Sequence, residues 1–233
     1  MIVLVKNNFE AHVKKFLIYL SRNDYSDETI SGYSKDLNKF YQFLVENYGA
    51  QVTVLDFTKE DILDYQDSLL RKGLAKNSIA RHISTIKSFS KYLFNELDFG
   101  NDPGSKVKTP KTYTPLIKVI TEEQMQQFLD VAKQYSSFYY TLAAFLYYTG
   151  SRITPVITLL KDHVSLEDKK VYFPKIKGGK DLYLPLHEQL VDILLAYFEL
   201  TPKTSTYVFP SPKFLNKHIS ASYVRYHLKK YKS

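Results

Sequence analysis

The stretch "FLYYTGSRITPVITLL", residues 145–160, decides how the second half of the chain folds. It reads as an apolar helix that halts at Gly150, a short turn, and a second apolar helix. A glycine just past the last helical residue takes the left-handed conformation that ends a helix at little cost. Thr154 and Pro155 read as the N-cap and first residue of the next helix, where proline's fixed φ and missing N–H do no harm. Between the two segments stands Arg152. A guanidinium cannot be neutralised by deprotonation, so it requires an anion. The first acidic residue after it is Asp162. Arginine beside the free N–H groups of a helix start suits a phosphate. A carboxylate from elsewhere in the fold would satisfy it equally.

Downstream of Lys161 the apolar period changes from helical to alternating. Val171 and Phe173, then Leu182, Leu184 and Leu186, predict two strands, with "KGGK" at 177–180 as the hairpin tip. Lys177 at this two-glycine tip is able to reach into a cleft, or is simply a surface turn lysine; Lys180 carries the same ambiguity. A helix from about His187 to Glu199, a short extended "YVFPSP" and a helix from about Ser220 complete the half. Upstream of the opening stretch, "TEEQ" predicts a capping box of Thr121 with Gln124, starting a helix that runs to about Lys133. The next helix spans about Phe138 to Thr149.

The first hundred residues predict four helices. One covers about 8–21. The second follows Ser26 as N-cap, with Ile30, Tyr33, Leu37, Phe40 and Leu44 at helical spacing. The third is capped by Thr58 with Asp61 reaching back and ends at Gly73. The fourth runs from about Asn77 to Leu97 with Ile79, Ile83, Ile86, Ser90 and Leu93 as its buried stripe. The faces opposite the apolar stripes carry the functional signal. Ser31, Lys35 and Lys39 share one side of the second helix, and Asn77, Arg81, Ser84, Thr85, Ser88 and Lys91 lie away from the isoleucines of the fourth. Small polar residues mixed with Lys and Arg suit close approach to a phosphate backbone and base edges; a solvated helix face has the same composition.

The whole chain has 233 residues, 44% hydrophobic, with 8 glycines and 9 prolines, and so has the composition and length of one large or two small globular domains. It has no cysteine, which excludes a disulfide framework and thiolate metal ligation. No apolar run approaches the roughly 18 residues of a membrane span, and "MIVLVKNNFE" does not form a signal peptide, so a cytoplasmic protein is expected. A net charge of +8 and a pI near 9.2 favour a polyanionic partner. Residues 100–119, with prolines 103, 110 and 115 and lysines 106, 108, 111 and 118, show no period and are expected to be a basic interdomain linker between domains at 1–99 and 120–233.

Taken together, "YYTGSRITPVITLLKDHV", "KIKGGKDLYLPL" and "YVFPS" resemble the catalytic domain of tyrosine recombinases, the phage integrase and Xer-like family, with 25 residues from Arg152 to Lys177. "TISGYSKDLNKFYQFL" and "SIARHISTIKSFSKYLF" resemble helices of that family's core-binding domain. The resemblance implies a mainly α protein: a four-helix core-binding domain, then an α+β catalytic domain with a small antiparallel β-hairpin sheet, closing as a C-shaped clamp on DNA. It implies site-specific DNA recombination through a 3′-phosphotyrosyl intermediate, with neither metal nor ATP nor other cofactor. Arg152 matches the arginine that clamps the non-bridging phosphate oxygens, and Lys177 the hairpin lysine that helps protonate the leaving 5′ oxygen. The implied partner is double-stranded DNA with inverted-repeat sites, bound as a homodimer or tetramer.

The sequence departs from the family pattern in two places. Position 155, three after the arginine, is Pro where an acidic residue is usual. No His-x-x-Arg box occurs, since Arg225 is the sole arginine after Arg152 and residue 222 is Ser. Tyr207, Tyr223, Tyr226 and Tyr231 are nucleophiles in name only. The expectation is therefore a catalytic domain incomplete at its C-terminus that binds DNA without cleaving it. A longer reading frame or a natural non-catalytic paralogue would each account for that. A helical protein-interaction module without a DNA role is the reading from another class, and salt-independent binding would mark it. Phage integration, transposon resolution and chromosome-dimer resolution share this chemistry, and the helix faces do not choose among them.

Overall fold

The computed structural model describes residues 8–112, 116, 119–176 and 180–230. The chain divides into two compact units, Met1–Leu116 and Ile117–Ser233. In the first, α1 (Phe9–Arg22), α2 (Asp27–Tyr48), α3 (Lys59–Arg71) and α4 (Lys76–Leu97) surround a single core. The cap signals work as their chemistry demands. The Ser26 hydroxyl accepts from the Thr29 amide, and Thr58 and Asp61 form a reciprocal capping box. Gly73 takes φ +74 just past α3. The core is aromatic: the Phe9 ring lies 5.1 Å from Tyr41 and 5.5 Å from Phe89, and Phe40 sits edge-on to Phe57 at 5.6 Å. Burying such rings contributes roughly 1.5–3 kcal/mol each.

Part of the expected linker belongs to this unit. Lys87 donates its ammonium to the Val107 carbonyl, Ser90 donates to the Asp102 carboxylate, and the Gly104 amide donates to Ser90 Oγ at 3.0 Å. Val107 is buried in the core. Residues 102–107 are thus strapped along α4. A Cβ at Gly104 would come 3.0 Å from the Lys87 Cα, tight enough that the strap would have to shift by a few tenths of an ångström to take one. Aperiodic sequence looks like tether, but a turn held by side-chain hydrogen bonds needs no period.

In the second unit, α5 (Glu122–Tyr135), opened by the Thr121–Gln124 capping box, packs on α6 (Ser137–Thr149). Then follow α7 (Ile153–Ile157), a 3₁₀ turn at Lys161–His163, strands β1 (Val164–Ser165), β2 (Lys170–Ile176) and β3 (Lys180–Pro185), α8 (Glu188–Leu200) and α9 (Ala221–Lys230). The sheet is antiparallel in order β1-β2-β3, so the expected hairpin gains a short third strand through Val164↔Val171. The strands β2 and β3 pair from Lys170↔Pro185 to Ile176↔Lys180, with a register irregularity between Phe173 and Ile176. Val171 and Phe173 are buried in this unit's core, where the Phe173 ring sits edge-on to Phe145 and Phe145 edge-on to Phe209. "YVFPSP" is anchored by Tyr207↔Leu160 and Pro210↔His218 bridges. Among the described residues no helix is long and apolar enough to cross a membrane.

Candidate functional site

The turn that carries Arg152 is fixed from both sides. Gly150, at φ +60, ends α6 in the left-handed conformation. The Thr149 hydroxyl turns back to the Phe145 carbonyl at 2.7 Å and accepts from the Ser151 amide at 3.3 Å. On the other side Val156, Ile157 and Leu159 are buried. Arg152 itself is the N-cap residue of α7, with extended backbone at φ −69 and ψ 151. That corrects the expectation of Thr154 as N-cap and Pro155 as first residue. Proline sits instead at the third helical position, where its missing N–H still has no intrahelical acceptor to lose. The guanidinium is exposed, and among the described residues it makes no ion pair. A carboxylate supplied by the fold, the competing account of this arginine, is absent among them.

The lysine expected to join Arg152 is not placed: Lys177 lies outside the described residues, and the side chain of Lys180 is not described. The same helix α6 lines a cleft that sequence reasoning did not anticipate. It measures about 640 Å³ and is bounded by Glu122, Gln126, Leu129, Tyr147, Tyr148, His187 and Gln189. Tyr148 stacks on His187 at 4.9 Å and donates its hydroxyl to Gln189 Oε1. Burial pushes the Tyr148 phenol above its ordinary pKa.

In the first unit the predicted polar faces are largely where their spacing puts them. Ser31, Lys35 and Lys39 are exposed on α2; Asn77, Arg81, Ser84 and Lys91 are exposed on α4. Two positions differ. Ser88 is half-buried and hydrogen-bonds Tyr33. Thr85 is fully buried and must be removed from the exposed face. The helix α4 packs against α1, α2 and α3, so its buried arc is wider than the isoleucine stripe and takes in His82 and Thr85.

What draws Thr85 inward is a carboxylate. Asp36 of α2 is 1% exposed. Its Oδ2 accepts from Arg81 Nη1 and, at 3.2 Å, from the Thr85 hydroxyl; its Oδ1 lies 3.5 Å from His82 Nε2. Nδ1 of His82 is 3.2 Å from the Tyr65 hydroxyl of α3. Burial pushes the His82 pKa down, against the pull of Asp36, and Arg81 and Lys39 push it further down. The imidazole is therefore neutral, and Arg81 is the cation that balances Asp36. Burial likewise raises the Tyr65 phenol. Sequence reasoning missed this network: Asp36 stands beside Lys35 and Lys39 like any surface acid, and its partners lie 45 and 49 residues away.

Both units, the helical bundle and the helical unit with its small antiparallel sheet, have counterparts among known proteins. Residues 13–96 match the phage integrase N-terminal SAM-like domain, and residues 118–233 match the phage integrase family. Tyrosine recombinase XerD of Staphylococcus haemolyticus is 31% identical over 220 residues, covering 90% of this chain and 72% of the relative. The chain belongs to the tyrosine recombinase family. Its fold is also that of the lambda integrase in a dimer bound to a COC′ core site (TM-score 0.74, 14% identity, 96% of this chain) and in a tetramer bound to a Holliday junction (TM-score 0.75, 13% identity, 96% of this chain). The chain spans 63% and 62% of those two integrase chains.

Proposed function

We propose that this chain takes part in site-specific DNA recombination, binding duplex DNA through both units and seating one phosphodiester against Arg152. The observation that carries this is Arg152: a permanently charged, exposed side chain, rigid at its backbone and without a carboxylate among the described residues. Such a guanidinium offers a planar fork to the non-bridging oxygens of a phosphate and stabilises the charge that builds on them in strand cleavage. Lys177 is assigned, from the family pattern, the proton delivered to the leaving 5′ oxygen. The exposed face of Ser31, Lys35, Lys39, Asn77, Arg81, Ser84 and Lys91 is assigned to the duplex backbone and groove. Assembly as a dimer or tetramer on inverted-repeat DNA and a cytoplasmic location belong to the same proposal.

These 233 residues contain no His-x-x-Arg box, so they are proposed to bind and position DNA without forming the covalent link. The test is binding of the chain to a short duplex as a function of salt. Phosphate contacts make log K fall with log salt by about 0.9 per contact. The Arg152→Ala variant should bind more weakly with an unchanged melting curve. Salt-independent binding, or none, would overturn the proposal. A covalent adduct on a nicked duplex would overturn the non-cleaving part alone.

A further inference from the structure

We infer that Asp36 is a positioning residue for DNA binding: from inside the first unit it holds the Arg81 guanidinium in the orientation in which its remaining N–H groups meet a phosphate of the duplex. The inference rests on the proposed DNA-binding role of that face and names the group that organises it.

Four observations support it. The first is the asymmetry of the pair: the Asp36 side chain is 1% exposed while that of Arg81 is 52% exposed. The carboxylate is a fixed part of the interior, and the guanidinium is anchored at one end and open at the other. The second is donor accounting. Arginine has five N–H donors, and Asp36 accepts from Nη1 alone. The third is that Asp36 is itself held. Thr85 donates to the same Oδ2, and the line Tyr65–His82–Asp36 runs through three helices before reaching Arg81. The fourth is the path of the side chain. Nη1 of Arg81 lies 3.9 Å from where a Cβ would stand on Gly32, an ordinary contact distance, so the guanidinium lies over α2 beside Gly32. The same arc of α2 presents Ser31, Lys35 and Lys39, and the charge of Lys39 is felt at His82 together with that of Arg81.

A mobile surface arginine loses side-chain entropy each time it grips a phosphate. One already fixed by a buried acceptor loses less, which is the general gain from preorganisation. Against this, an aspartate next to a cationic face repels DNA, so the two roles predict opposite signs.

The full chain is titrated onto a short mixed-sequence duplex at several salt concentrations, as wild type, Asp36→Asn, Arg81→Lys and Arg81→Ala. Melting curves verify that each variant is folded at the assay temperature. Positioning predicts that Asp36→Asn weakens binding roughly tenfold or more, the loss of one charge-assisted contact, although it makes the protein more positive. The salt slope should fall by about 1. Arg81→Lys keeps the charge and the partner on Asp36 but lacks the fork, and should weaken binding comparably while remaining folded. It carries the test if Asp36→Asn does not fold. The double variant Asp36→Asn with Arg81→Ala should bind no worse than Arg81→Ala alone. Unchanged or tighter binding by Asp36→Asn, or by Arg81→Lys where Asp36→Asn is unfolded, overturns the inference and leaves the DNA-binding proposal standing. Failure of the wild type itself to bind in a salt-dependent way overturns both.

Discussion

Each unit of the molecule exposes one notable arginine, and the two are held in opposite ways. Arg81 rests on a buried carboxylate that is braced by two further helices. Arg152 has no such acceptor among the described residues: its backbone is fixed by a left-handed glycine on one side and buried aliphatics on the other, and its side chain is left unpaired. In the first unit a cation has been made part of the fold. In the second only its Cα has been. The difference teaches that an exposed arginine on a candidate nucleic-acid surface need not be separable from stability, and that exposure alone does not say which kind it is.

The largest expected effect tests that contrast directly. Arg81→Ala strands the Asp36 carboxylate in the interior beside a neutral imidazole, and breaking a buried pair from one side costs about 3–5 kcal/mol. Because Arg81 is half in solvent, a loss near the lower end, about 3 kcal/mol, is expected in urea denaturation. Arg152→Ala should stay within about 0.5 kcal/mol of wild type, as surface changes away from such features do. Equal losses at the two positions would erase the distinction. A smaller effect sharpens it: Tyr65→Phe removes the hydroxyl from the end of the network and should cost about 1 kcal/mol, with no matching residue to test beneath Arg152 among the described residues.

The smallest expected effect is one of pH. The folded His82 pKa lies below the ordinary 6.5, mainly through burial. As pH falls through 6.5 the unfolded chain takes up the proton first, so acidification favours unfolding. The stability tied to His82 is complete above 6.5 and declines below it, down to the folded pKa. His82→Gln should flatten that part of the stability–pH curve. Unfolding monitored at neutral and mildly acidic pH checks this.

How much of this was legible in the sequence follows the range of the interaction. Ser26, Thr58 and Thr121 cap helices through contacts three residues away, and each was readable from its neighbours. Gly150 and the Val171/Phe173 alternation were readable for the same reason. Thr85 was assigned to the wrong face because a threonine beside an isoleucine stripe shows nothing of a carboxylate 49 residues earlier. Asp36 passed as one acidic residue among lysines. At Pro155 the residue types were right and the register was off by two, because every position of a first helical turn tolerates a missing N–H. For Arg152, sequence could supply the question of its anion but not exclude a partner from a distant element.

The strap at residues 102–107 sets where the first unit can be cut free. A fragment ending at residue 99 would leave the Lys87 ammonium and the Ser90 hydroxyl without their acceptors and strip Val107 from an apolar flank. Its edge would be sticky, and aggregation rather than loss of affinity would be the first symptom. Carried through to Lys111, the same fragment takes its own selvedge with it. The frontier of the unit is drawn by a tightly packed glycine, several residues beyond the last helix.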